Sequence, residues 1–246
     1  MPVPRRTRLV ALAPVVAALI ALGCVSAPGG EAGSGGEQRP APTATRTTAA
    51  GEDLEGTDTP QEFMEDVGDA ERVAEAYWKA QFKKSGLEFQ PISRLIAYEQ
   101  EGEVDCGGQG LGLNNAAYCS AGDFIAYDVN WAFAAFRQIG DAFIFYLLGH
   151  EYAHAIQLRL RIQKEFTIEQ ELQADCMAGA YIGDTERQGS LKLDDGDLEE
   201  LAAGLEAVGD EPGQPWFAEG AHGSAKQRTR AFDNGYQRSL EPCGVS

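Results

Sequence analysis

Basic residues are scarce. The 246-residue chain carries 20 Lys and Arg against 38 Asp and Glu, for a net charge of −18. A phosphate-binding face needs the opposite balance, so no nucleic-acid partner is expected. Charge alone will not hold the chain on anionic lipid either. Long apolar runs are also missing. The stretch Leu9–Leu22 is fourteen residues, interrupted only by Pro14, short of the ~20 that a spanning helix requires. No internal repeat is visible, and the composition fits neither collagen nor a coiled coil. Histidine is scarce in a telling way: there are three, and two of them stand four residues apart.

The N-terminal stretch reads as an address. Arg5, Arg6 and Arg8 precede the short apolar run, which ends in Ala21-Leu22-Gly23-Cys24. That order matches a bacterial lipoprotein signal, although Ala21 stands where a large aliphatic residue is usual. Residues 1–23 are therefore expected to be a signal peptide and Cys24 a lipidation site. The expected location is extracytoplasmic, on a membrane through the lipid alone. A secreted form cut near Ala27 is the alternative. From residue 24 to 58 the sequence is rich in Gly, Ala, Pro, Thr and Ser, with Leu54 its single large aliphatic residue past Ser26. Such a segment cannot bury enough apolar surface to fold and is expected to be a tether.

Order is expected over residues 59–246. Thr59-Pro60-Gln61-Glu62 forms a capping box with Pro at the first helical position, and the helix should end near Ser85-Gly86. Ile92–Tyr98 suits a strand. Ala116–Cys119 and Phe124–Tyr127 flank the turn Ser120–Asp123 and suit a hairpin. Trp131–Phe136 suits a short helix, Asp141–Gln163 a long apolar one. Thr167 with Gln170 marks another helix start. Helices dominate the remainder.

Residues 149–157 read Gly-His-Glu-Tyr-Ala-His-Ala-Ile-Gln. On a helix, His150 and His154 share one face, so both imidazoles can hold one metal ion. Glu151 beside the first His is then placed to act on the attacking water. Zinc fits this pattern, with a third protein ligand and an open fourth position in a catalytic site. Glu165 is the first acid after the motif, but Glu171 and Asp175 are four apart and share a face. Glu171 is the expected third ligand and Asp175 the expected partner for the second nitrogen of a ligand His. Glu169 competes for the ligand role but has no acid four residues on.

At these residues the chain resembles the bacterial neutral zinc metallopeptidases. The matching blocks are Cys106-Gly107 with Tyr118-Cys119, then His150, Glu151, His154 and Gln157, and then Glu171–Cys176 with Ala178-Gly179. His222–Arg228 follows, with Phe232 and Gly235. Ala153 and Ala155 stand where that family often has Gly and His, and Ala126 where it tends to have Tyr. These departures are expected to bear on the substrate cleft. The resemblance implies an α+β, zincin-like fold, with a small antiparallel-edged sheet packed on the metal-binding helix and a mostly helical C-terminal half. It implies a zinc-dependent endopeptidase holding one Zn²⁺ per chain, with Glu151 as general base and a peptide or protein substrate. Strand Phe124–Asp128 is expected to offer its edge to an extended peptide.

Setting Cys24 aside leaves four cysteines in an exported chain. They allow three pairings. The hairpin reading and the resemblance favour Cys106–Cys119 and Cys176–Cys243, with a buried free thiol at Cys176 as the alternative. His222 opens the late block and is expected to face the metal and steady the oxyanion, with Arg228 as a helper. A rival reading from a different class is an envelope-anchored zinc-binding or chaperone-like module without catalysis.

Overall fold

The computed structural model describes residues 59–211, 213–215, 217–218 and 220–245. The expected signal peptide, Cys24 and the tether to residue 58 lie outside the described residues.

Helix α1 (Pro60–Lys84) starts where its capping box predicts: Thr59 Oγ1 accepts the Glu62 N–H at 3.1 Å. Phe63, Val67, Ala70, Ala74, Tyr77 and Trp78 recur on one face and are buried. That stripe packs on α3 (Ala142–Arg159). Burying each large side chain contributes about 1.5–3 kcal/mol, which outweighs the weak intrinsic preference of any one residue.

Three strands form a mixed sheet in the order β1 (Arg94–Tyr98), β5 (Phe124–Asp128), β4 (Ala116–Cys119). β1 runs parallel to β5, with Arg94 opposite Phe124; β4 runs antiparallel, with Cys119 opposite Phe124. Every residue of β5 is buried. Ile125 and Tyr127 enter the main core, while Phe124 and Ala126 pack with Tyr98, Val104 and Cys119 on the other face. The period-two alternation of a strand thus serves two apolar clusters at once. A two-stranded ribbon, β2 (Asp105–Cys106) with β3 (Gln109–Gly110), lies in the crossover. The Cys106–Cys119 disulfide fastens the ribbon to β4.

This order corrects one expectation. β5 is central, flanked on both sides, so its edge is not free for a peptide; the antiparallel edge is β4. The reason is non-local: β1 arrives from upstream and takes the outer side of β5.

Asp128 ends β5 and caps α2 (Val129–Ile139), its Oδ1 accepting the N–H groups of Asn130 at 3.0 Å and Trp131 at 3.1 Å. α3 follows, buried almost all round, as expected of a helix apolar on every face. α4 (Thr167–Arg187), α5 (Asp197–Ala207), α6 (Ala225–Arg238) and a 3-10 turn (Glu241–Cys243) complete the fold. α4 begins one residue earlier than the sequence suggests. Phe166 holds the cap position, and the Glu169 carboxylate accepts its N–H at 3.5 Å. Glu169, a rival for the ligand role in the sequence, is exposed and engaged at this cap instead.

α4 and α6 touch backbone to backbone. A Cβ at Gly179 would collide with the Phe232 carbonyl oxygen, and one at Gly235 with that of Cys176. The Cys176–Cys243 disulfide then ties the last turn to α4. No described helix is long and apolar enough to cross a membrane.

Candidate metal centre

α3 and α4 pack side by side and bring Glu171 of α4 against His150 and His154 of α3. His150 Nε2 stands 3.1 Å from His154 Nε2 and 3.1 Å from Glu171 Oε2, and His154 Nε2 stands 3.4 Å from Glu171 Oε1. Two corners of a tetrahedron built on zinc bonds of 2.0–2.1 Å are about 3.3–3.4 Å apart. The three donors are therefore spaced as one ion would require.

The other nitrogen of each ring is already engaged. His150 Nδ1 donates to Asp175 Oδ1 at 2.9 Å, and His154 Nδ1 donates to Gln157 Oε1 at 2.9 Å. In the neutral imidazoles both Nε2 atoms are then acceptors facing each other. Two lone pairs at that distance repel unless a proton or a cation sits between them. The donor set of two imidazoles and one carboxylate suits zinc.

The charges point the same way. Burial works to lower the His150 pKa, but the Asp175 carboxylate, and after it Glu171, outweigh burial and push it up to about 10. Burial opposes the charge on Glu171 too, yet the two imidazoles hold its carboxyl far below the usual carboxylate range. For His154 the hydrogen bond to Glu171 prevails over burial and raises the pKa. The cluster draws positive charge to its centre, which a divalent ion supplies without protons.

Asp175 is fully buried and accepts from four donors. Its Oδ1 takes His150 Nδ1, the Tyr146 hydroxyl at 2.7 Å and Arg228 Nη2 at 2.9 Å; its Oδ2 takes Arg228 Nε at 2.9 Å. Arg228 also donates to the Val208 carbonyl at 2.8 Å and from Nη2 to the Tyr146 hydroxyl at 2.9 Å. This corrects the expectation that Arg228 assists an oxyanion. Its guanidinium is spent on Asp175, whose charge it neutralises. The close α4–α6 approach at Gly179 and Gly235 puts it there.

Glu151 sits on the next side of α3, buried, and burial raises its pKa. Its Oε2 accepts the backbone N–H of Tyr118 at 2.7 Å. The edge strand is thus fastened to α3 through the candidate base. Arg159, at the end of the same helix, pairs with Asp123 at 2.9 Å, and Asp123 accepts the Tyr118 hydroxyl at 2.7 Å. The sequence does not point to either contact, because an Arg at a helix end and an Asp in a turn carry no motif.

A cleft of about 660 Å³ opens over these groups. Asn114–Tyr118 form one wall, and Trp131, Leu147 and Val208 another. His222 lines the same cleft, with its side chain about half exposed and Nδ1 3.5 Å from Asp210 Oδ1. Ala126, Ala153 and Ala155 do not line it. They are fully buried in the two cores, so these departures from the family pattern do not shape the cleft.

The cysteine pairs are Cys106–Cys119 and Cys176–Cys243, which leaves no free thiol at Cys176.

Comparison with known proteins adds three findings. A model of the family described as "Putative neutral zinc metallopeptidase" matches residues 8–243. The chain is 28% identical over 202 residues to "Uncharacterized protein YpfJ" of Escherichia coli (strain K12), covering 71% of this chain and 69% of that protein. It is 35% identical over 116 residues to "Uncharacterized protein Rv2575" of Mycobacterium tuberculosis (strain ATCC 25618 / H37Rv), covering 37% and 40%. No solved structure matches.

Proposed function

The chain belongs to the neutral zinc metallopeptidase family, and from that premise we propose that it is a zinc-dependent endopeptidase of the cell envelope. The observation that carries this reading is the convergence of His150 Nε2, His154 Nε2 and Glu171 at 3.1–3.4 Å, with Glu151 beside them in one open cleft. His150, His154 and Glu171 would hold the ion. Zinc bound there supplies Lewis acidity, which polarises a carbonyl and brings the pKa of water to about 7.

The protein's own groups do the rest. Glu151 takes the proton of the attacking water and returns it to the leaving amine. A base whose pKa is raised by burial suits both halves of that transfer. Alternate residues of a strand turn their backbone groups the same way. Ala116 thus shares the outward direction of Tyr118, and β4 can pair with an extended peptide across the cleft. His222, on the cleft wall, donates to the oxyanion as the tetrahedral centre forms.

Three donors and an adjoining cleft distinguish this arrangement from a structural zinc site, which fills all four positions. A peptide or protein substrate follows from the family, and the charge of −18 does not suit a nucleic acid. Work outside the cytoplasm is supported by two disulfides, which persist in oxidising compartments. Attachment to the membrane rests on lipidation of Cys24.

The test is a peptide-library digest read by mass spectrometry. The zinc-loaded protein should generate new termini, and the Glu151→Gln variant should cut about 10²–10⁴-fold more slowly. Equal cutting by both proteins would sink the role of Glu151.

A further inference from the structure

The hydrogen bond behind His154 does not stop at Gln157. Gln157 is 1% exposed and Gln173, on α4, is 8% exposed. The Gln157 side-chain NH₂ donates to the Gln170 carbonyl at 2.8 Å and to Gln173 Oε1 at 3.1 Å. The Gln173 NH₂ donates to the Cys243 carbonyl at 2.8 Å. Backbone carbonyls can only accept, so each amide must turn its nitrogen toward a carbonyl. That fixes both oxygens. Gln173 Oε1 faces Gln157, and Gln157 Oε1 faces His154 Nδ1. An acceptor at that point requires His154 to carry its proton on Nδ1 and leaves Nε2 bare toward Glu171 and His150.

The far end of the relay is also anchored. Cys243 is bonded to Cys176, and Cys176 follows Asp175 on α4. One covalent tie therefore lies beside the group that orients His150 and fixes the carbonyl that orients His154. The two imidazoles are set by different means: a buried carboxylate and arginine for one, a chain of neutral amides for the other. An amide is a weaker acceptor than a carboxylate, so it orients the ring while adding little negative charge.

We infer that Gln157 and Gln173 are positioning residues, which hold His154 in the Nδ1–H tautomer with Nε2 toward the metal, through a relay that ends on the disulfide-anchored carbonyl of Cys243. This inference rests on the metal-site reading of His150, His154 and Glu171.

Two measurements on the full chain test it. The first is zinc affinity by competition with a chromophoric chelator. Gln157→Leu deletes the acceptor and should weaken zinc binding about 10–100-fold, as loss of such a partner does elsewhere. Gln157→Glu restores an acceptor at the same reach and should bind zinc more tightly than Gln157→Leu, even if its melting temperature is no higher. Equal zinc affinity in wild type and Gln157→Leu, or equal weakening in the Leu and Glu variants, overturns the relay. The second uses wild-type protein and so does not depend on a variant folding. In cadmium-113-substituted protein, metal–proton couplings identify the ligating ring nitrogen. Coupling through Nε2 of His154 supports the relay, and coupling through Nδ1 overturns it while leaving the metal site standing. A wild-type chain that binds neither metal removes the site, and the relay with it.

Discussion

Tyr118 gives its backbone N–H to Glu151 Oε2 at 2.7 Å. A strand edge and a helix side chain are thereby joined at the point where the chemistry is proposed. The bond tempers the burial that raises the Glu151 pKa, and it fixes which carboxylate oxygen is engaged. It also ties β4 to α3 at the cleft wall.

Arg228 is expected to matter to folding before it matters to rate. Its loss removes the guanidinium that meets both oxygens of the buried Asp175 carboxylate and leaves it only His150 and the Tyr146 hydroxyl as partners. Breaking a buried pair on one side costs about 3–5 kcal/mol. Arg228→Met should lose that much in urea denaturation. Arg228→Lys should recover only part, because a single ammonium cannot span both carboxylate oxygens. A loss below about 1 kcal/mol for Arg228→Met would place the pair outside the stability of the fold.

Much of the centre is legible in the sequence because it is local. His150 and His154 share a helical face at a spacing of four, and Glu171 and Asp175 repeat that spacing on α4. What is not local was misread. The central place of β5 depends on β1, which pairs with it from thirty residues upstream. Arg228 looks like a free cation near a His, and only the contact of Gly179 and Gly235 with the opposing backbones shows that it reaches Asp175. Gln157 matches a motif, but its orienting role depends on contacts with Gln173 and, through it, with the Cys243 carbonyl, which are non-local and leave no pattern in the sequence. The start of α4 turns on a smaller contest, in which the charged Glu169 out-competes the neutral Gln170 as the group that reaches back to the cap.

Glu200 gives the protein a pH dependence remote from the metal centre. Burial raises its pKa from 4.5 to about 7, with the charge of Asp141 adding to it and the Ala142 N–H opposing it. The folded state therefore holds this proton more tightly than the unfolded chain. The contribution favours folding fully below about pH 4.5 and is lost as the pH rises through about 7. Glu200→Gln is neutral throughout and keeps an acceptor for the Ala142 N–H. Its melting temperature should exceed the wild-type value by more at pH 8 than at pH 5. A difference that does not change between the two pH values would contradict this.

His222→Ala separates a donor to the transition state from a surface residue. The side chain is half exposed and lies in the cleft wall, so its removal should leave melting temperature and zinc content unchanged. Loss of one oxyanion donor lowers kcat about 10²–10³-fold, with a smaller effect on KM. A steady-state analysis showing kcat within twofold of wild type would return His222 to an ordinary surface role.

The most direct test of the whole account is the zinc content of purified protein after exhaustive dialysis, by elemental mass spectrometry. The wild type and Glu151→Gln should each retain about one zinc per chain, because Glu151 is not a ligand. His150→Ala, His154→Ala and Glu171→Ala, folded by circular dichroism, should each retain far less. A folded wild type that takes up no zinc, or a His150→Ala variant that keeps its full equivalent, would contradict the assignment of His150, His154 and Glu171 as the metal-binding residues.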